Sequence, residues 1–320
     1  MQQNQTSSSS RNAAIELLRV ALMFGICLLH SITQAGHCVR GLDNVLLSCV
    51  NGFVFISGYF GIKFKVSKVL SLIGVSLYAA FVAYGFSDFA YGTNIPFWRT
   101  YVEGYWFLWA YIVLMLVAPL CDAALEKRNE RAVWSLSLPV LFAVFVWSYG
   151  CVIPGIKEVL PCPQGFGPLT YFTLGGVYLF ARACRVTKID ERIQTKYLLL
   201  AWISLAVVAW AGFGHYNSPV AMLLSAASFF LFKRMSVHSS VARVVCTLSP
   251  SMFAVYILHA NGVGYRTLRL IETKVIDVWG FPTVVGWMCA AIVVFVSCVL
   301  IDGLRRFVTS GVEQIVRRKK

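Results

Sequence analysis

The sequence predicts an all-α integral membrane protein, a bundle of about ten transmembrane helices with both termini in the cytoplasm. Three observations predict it. Of 320 residues, 58% are hydrophobic and 13% charged, a balance too apolar for one soluble domain. Uncharged runs long enough to cross the hydrocarbon layer as helices recur along the chain. Lys and Arg gather in alternate connections between those runs.

In chain order, residues 1–11 are rich in Gln and Ser and read as a disordered tail. A cleaved signal peptide is the alternative for the first apolar segment, disfavoured because Glu16 and Arg19 would interrupt its apolar core. Uncharged runs then occupy 20–39, 45–62, 69–87, 104–121, 132–156, 159–181, 197–232, 244–265 and 278–301. The run 197–232 is too long for one crossing, and its Gly-Phe-Gly-His-Tyr-Asn-Ser-Pro stretch at 212–219 is a strong turn signal, so it makes two helices. Lipid offers backbone N–H and C=O groups no partner, which makes each crossing helical, and the alternation of a β-barrel is absent. The longest connections, at 88–103, 151–168 and 266–281, are expected to face outward. The division is thus a tail, a membrane domain over 12–306 and a basic cytoplasmic tail over 307–320.

Orientation follows from the 28 Lys and Arg residues. With a cytoplasmic N-terminus, one set of connections holds Lys63, Lys65, Lys68, Lys127, Arg128, Arg131 and the basic residues between 182 and 243, joined by Arg11 and the C-terminal tail. The other side has only Arg40, Arg99, Lys157, Arg266, Arg269 and Lys274, and Arg19 lies within the first span. The positive-inside rule then sets both ends in the cytoplasm of a multi-pass protein of the cell membrane. The net charge of +14 is accordingly a topology signal. It gives no warrant for nucleic acid, because the basic residues are scattered over short loops. The tail 317–320 could also touch anionic membrane lipid.

Most of the 10 cysteines fall inside the runs, where they behave as small apolar residues. Cys38, Cys162 and Cys151 lie on or near the outer face, and their pairing is open. No spacing resembles a zinc site, so no metal is expected; His37, His215 and His259 fall on one side but lack carboxylate partners.

The first run carries the main functional signal. "RVALMFGICLLH" is bracketed by Arg19 and His30, with Glu16 three positions before it. Eleven residues turn a helix by about 1100°, roughly 20° past three turns, so Arg19 and His30 share one face about 16 Å apart. Glu16 lies within pairing reach of Arg19. Buried charge in a membrane costs several kcal/mol unless paired or hydrated, so this face should look into the bundle. By residue type alone two readings fit: a functional stripe, or an Arg19 that snorkels to headgroups beside a hydrogen-bonded His30.

Glu16-Leu-Leu-Arg19, ten residues, then His30 resembles the opening of the acyltransferase-3 family of integral-membrane acyltransferases. "VNGFVFISGYF" at 50–60 is similar to its second helix ending in Ser-Gly-aromatic, "YWFLWAYIVLMLVAPL" at 105–120 to its Trp-Phe-Leu helix, and "SPSMFAVYILHAN" at 249–261 to its late helix with Ser, Tyr and His. Many members have an acidic residue three positions after the histidine, where this chain has Thr33.

The resemblance implies transfer of an acyl group, usually acetyl, from cytoplasmic acyl-CoA to a hydroxyl of an envelope polysaccharide or lipid-linked glycan. The expected cofactor is acetyl-CoA, as donor. His30 would be the general base, since a neutral imidazole accepts a proton at working pH. Arg19, always protonated, would hold the CoA arm or phosphates. Ser57 and Gly58 would form a small-residue lip for the donor, with Lys63 drawing in its phosphates; helix packing and interfacial lysines are the alternative. Glu16 and His259 are candidates for substrate binding, His259 on the acceptor side or as a hydrogen-bonded helix-end residue. Tyr101, Tyr105, Trp106 and Trp109 read as an interfacial aromatic belt or as sugar-stacking groups. A carrier or flippase for a polar envelope precursor is the other class that polar residues in a multi-span bundle suit. Family members with an appended extracytoplasmic domain use it to deliver the acyl group; this chain is expected to transfer directly or through a separate protein.

Overall fold

The computed structural model describes residues 12–34, 41–91, 105–150, 153, 155, 168–214 and 218–318. Among these the elements are all helical, and the chain is an integral membrane protein. Cys38, Cys151, Cys162, His37, His215 and Tyr101 lie outside the described residues.

The first helix, α1 (Ala13–Gln34), starts where Asn12 Oδ1 accepts from the Ala14 N–H at 3.0 Å. A short α2 (Leu42–Leu46) leads into α3 (Ser48–Phe60), and α4 (Val66–Tyr91) follows. Then come α5 (Trp106–Leu125), α6 (Glu130–Gly150) and α7 (Pro168–Thr187). A single turn, α8 (Ile189–Arg192), connects to α9 (Thr195–Val208), whose wide last turn Ala209–Phe213 breaks at Gly212, φ 104°. That is the interruption expected in the run 197–232, because only glycine adopts this φ without strain. Ser218 caps α10 (Pro219–Lys233) through the Ala221 N–H, with Pro219 in the first turn.

Among the described residues, eight stretches are long and apolar enough to cross a membrane: Ala13–Thr33, Leu42–Phe60, Val66–Ser87, Trp106–Leu125, Glu130–Gly150, Thr195–Phe213, Ser239–His259 and Thr283–Gly311. The predicted runs at 159–181 and in the second half of 197–232 correspond to α7 and α10. The former carries Arg182 and Arg185 near its end, and the latter has 15 residues, most of one face buried by its neighbours.

The chain departs from expectation after residue 238. The crossing expected over 244–265 lies instead at Ser239–His259. It comprises α11 (Ser239–Leu248), a tight turn Ser249–Ser251 and α12 (Met252–His259), and the chain then reverses at Ala260 and Asn261. The supposed connection 266–281 is largely helical: α13 (Gly262–Thr273) runs into a wide turn, Lys274–Val278. Its alternation of buried Val263, Leu268 and Glu272 with exposed Arg266 and Arg269 marks a surface helix. The last helix, α14 (Thr283–Arg318), continues through the boundary expected at 306.

Helices in lipid gain little from hydrophobic exclusion of one another, so they depend on close backbone approach and internal polar pairs. Gly25 faces Cys49 and Gly52 faces Leu22, which sets α1 and α3 antiparallel and nearly touching. Gly176 lets α7 sit against Val144 of α6. Phe55 of α3 lies 5.3 Å, and Tyr59 4.6 Å, ring to ring from Phe229 of α10. At the end of α7, Arg182 meets Asp122 of α5 at 3.0 Å, and the Tyr178 hydroxyl donates to the same carboxylate at 2.9 Å.

The buried side chains form two main cores. One joins α3, α5, α7 and α10; the other joins α4, α12, α13 and α14. The first helix belongs to both, giving Ile15, Leu18 and Leu22 to one and Met23, Ile26 and Cys27 to the other. A helix shared in this way is held on several sides, a sound support for a stripe of polar groups.

Candidate active site

A cavity of ≈ 520 Å³ opens where the two cores part. Its α1 wall consists of Arg19, Met23, Ile26, Leu29, His30 and Thr33, mostly three or four residues apart and so on one face. Arg19 and His30 therefore reach a common interior space, as the eleven-residue spacing predicts. Opposite them stand Ser57 of α3, Phe107 and Tyr111 of α5, and Phe253 and Tyr256 of α12. Trp106 lines the cavity too, and Tyr105 is fully buried. These two belong to the interior, so the aromatic belt expected there is corrected: the start of α5 is packed against protein on this side.

At one end, Arg19 Nη1 lies 2.9 Å from Glu16 Oε1. The Glu16 side chain is 8% exposed and that of Arg19 38%, so the carboxylate anchors one N–H while the rest of the guanidinium remains accessible. Glu16 does not itself line the cavity, and its place is behind Arg19.

Of the proposed lip, only Ser57 reaches the cavity. Its hydroxyl donates to the Phe53 carbonyl at 2.9 Å, which leaves its oxygen to accept from the Tyr111 hydroxyl at 3.1 Å. One residue on, the helix has turned by about 100°, and Gly58 presses on α7, where a Cβ would stand 2.8 Å from that of Ala181. Gly58 is a packing glycine. Lys63 is exposed in the segment between α3 and α4 and takes no part in the cavity wall.

At the other end, His30 Nδ1 stands 3.0 Å from His259 Nε2, and the His30 ring meets Tyr265 edge to face at 5.2 Å. His259 is fully buried and does not line the cavity; it stands behind His30. Of its two expected readings, the acceptor-side lining is corrected and the hydrogen-bonded helix-end residue is the one it fits. Its Nδ1 lies 2.6 Å from the Val255 carbonyl oxygen, and the Cys27 thiol touches the ring at 3.7 Å. Thr33 supplies nothing to His30's ring: its hydroxyl donates to the Leu29 carbonyl at 2.9 Å. The partner of His30 thus comes from α12, in place of an acidic residue on its own helix.

The turn after His259 accounts for that placement. Asn261 Nδ2 donates to the Ile257 and Leu258 carbonyls at 3.0 and 2.9 Å, and its Oδ1 accepts from the Val263 and Gly264 N–H groups. One side chain closes the end of α12 and opens α13. The reversal then returns Tyr265 to the His30 ring. Neither Tyr265 nor Asn261 is evident as a site residue from spacing alone.

Among the described residues, no group of three His, Cys, Asp or Glu side chains is placed to hold a metal. The arrangement joins a fixed cation, a long and mostly apolar passage, and an imidazole held by a second imidazole. It suits an anionic ligand with a slender apolar arm.

The family model described as an acyltransferase domain, Acyl_transf_3, matches residues 12–303. No curated protein and no solved structure matches the chain.

Proposed function

Because the chain belongs to the acyltransferase-3 family of membrane acyltransferases, we propose that it carries an acyl group, acetyl by our reading, from cytoplasmic acyl-CoA to a hydroxyl of an envelope polysaccharide or lipid-linked glycan. One observation carries this reading: Arg19 and His30 line a single cavity, with the cation and the base set along one helix face. With the termini in the cytoplasm, as the Lys and Arg distribution favours, Arg19 marks the donor side and His30 the acceptor side.

The donor's phosphates stay at the Arg19 end, where a guanidinium suits them. Its pantetheine arm follows the passage past Ser57 and Tyr111, which offer polar contacts on an otherwise apolar wall. A cavity of ≈ 520 Å³ suits the arm and a small acyl group, leaving the nucleotide outside.

His30 then takes the proton of the acceptor hydroxyl as its oxygen attacks the thioester carbonyl. The new C–O bond forms, the C–S bond breaks, and the proton held on the imidazole passes to the departing thiolate. The base is regenerated and free CoA thiol leaves. Lys63, exposed beside the entrance end of α3, attracts the anionic donor through the solvent without contact.

The test is direct. Purified protein in nanodiscs, given acetyl-CoA and a candidate glycan, should release CoA thiol, and His30→Ala should abolish that release. Mass spectrometry of envelope glycans with and without the protein should show an added acyl mass. Thiol release by His30→Ala at the wild-type rate would remove His30 from the mechanism. Substrate translocation without thiol release would favour a carrier.

A further inference from the structure

The proton position on His30 follows from the groups behind it. His259 Nδ1 is 2.6 Å from the Val255 carbonyl oxygen, and a carbonyl can only accept, so a neutral His259 carries its proton on Nδ1. Its Nε2 is then a bare lone pair. That lone pair faces His30 Nδ1 at 3.0 Å, which must donate. A neutral imidazole has one donor and one acceptor nitrogen, so His30 Nε2 is left without a proton. His30 lines the cavity, and among the described residues no other hydrogen bond engages its ring.

The neutral state of His259 follows from its surroundings. The residue is fully buried, and its ring meets the Cys27 thiol, His30, the Val255 carbonyl and Tyr256. No carboxylate touches it among the described residues. An imidazolium sealed there would lack a counter-charge, at a cost of several kcal/mol.

We infer that His259 is a positioning residue that fixes the tautomer of His30, presenting a bare Nε2 to the acceptor hydroxyl. The inference rests on the reading of His30 as proton acceptor. It assigns to a second histidine the orienting role that a carboxylate at position 33 would otherwise have. The Asn261 clamp and the contact of Gly264 with the His259 backbone hold this unit in place.

The test reads the rings without turnover. In nanodiscs above neutral pH, full-length protein carrying 15N-labelled histidine should show His30 and His259 both protonated on Nδ1, assigned by signal loss in His30→Ala and His259→Leu. A proton on Nε2 of His30 in the wild type overturns the inference. His259→Leu should shift His30 toward the Nε2–H form and lower kcat by ~10–100-fold, the usual effect of losing an orienting partner, with KM for acetyl-CoA unchanged. His259→Gln, whose amide oxygen can accept from Nδ1, should restore part of kcat. A folded His259→Leu protein with wild-type tautomer and kcat would overturn the positioning role. Failure of the acyltransferase reading itself shows differently, as no thiol release from the wild type whatever the ring signals.

Discussion

Gly264 lies directly against the backbone of His259: a Cβ at that position would overlap the His259 carbonyl. The first turn of α13 therefore rests on the last turn of α12, and the His259 ring is set by how closely the two approach.

Replacing Gly264 with Ala should separate those turns. Overpacking a tight contact destabilises by ~1–3 kcal/mol, and here the displaced backbone carries the partner of His30. Thiol release should fall by about tenfold or more, because orienting partners are sensitive to small shifts. Thermal unfolding and initial rates on one preparation check both effects. A variant with lowered stability and full activity would show that the contact supports the fold alone.

Ser57 and Gly58 are neighbours with different fates, and their variants should separate. Gly58→Ala drives a methyl into the backbone of Tyr178 and should cost ~1–3 kcal/mol of stability. Ser57→Ala removes a cavity-wall hydroxyl bonded to Tyr111, so its effect should fall on KM for the donor with stability changed by less than about 1 kcal/mol. Equal stability losses with unaltered KM would place both residues in packing.

How much of this is legible in the sequence depends on distance along the chain. The Arg19–His30 stripe is readable because both residues ride one helix with a known repeat. The break before Pro219 is readable because glycine and proline declare it locally. The partnership of His30 with His259 spans 229 residues and leaves no periodic trace. The reversal at Asn261 is hidden for another reason: the run 244–265 is uncharged throughout, so hydropathy cannot show where it turns. Residue size suits Gly58 to a lip, yet size alone does not reveal which neighbour a glycine faces.

Arg19 and Glu16 should also separate on substitution. Arg19→Lys keeps the charge but loses the planar fork, so KM for acetyl-CoA should rise about tenfold, as expected when a charge-assisted contact worth roughly 1.5 kcal/mol is lost. Glu16→Gln keeps an acceptor for Arg19 and should have the smaller effect. Donor binding in the wild type should weaken with added salt, since Arg19 is partly exposed and screening reaches it. Isothermal titration with a non-hydrolysable acyl-CoA analogue at two ionic strengths checks all three. Unchanged affinity in Arg19→Lys would argue against a bidentate contact.

Asp190 ties three elements together away from the cavity. Its carboxylate, almost fully buried, accepts from the Lys233 ammonium at 2.5 Å and from the Tyr59 hydroxyl at 3.1 Å, while its backbone carbonyl accepts from Arg234. Asp190→Ala takes the counter-charge from Lys233, which keeps only the Tyr59 oxygen at 2.6 Å, leaves the Tyr59 hydroxyl without its acceptor, and should destabilise by ~1–3 kcal/mol. The full effect of breaking a deeply buried ion pair is not expected, because Lys233 remains 28% exposed and can turn to water. Removing the ammonium as well, in Asp190→Ala with Lys233→Met, should recover part of the loss, since the partner charge is no longer left unpaired. The comparison forms a double-mutant cycle read by denaturation in detergent. Additive losses in the double variant would mean that the pair contributes nothing beyond its separate members, and that α8 is held to the end of α10 by the Arg234 contacts instead.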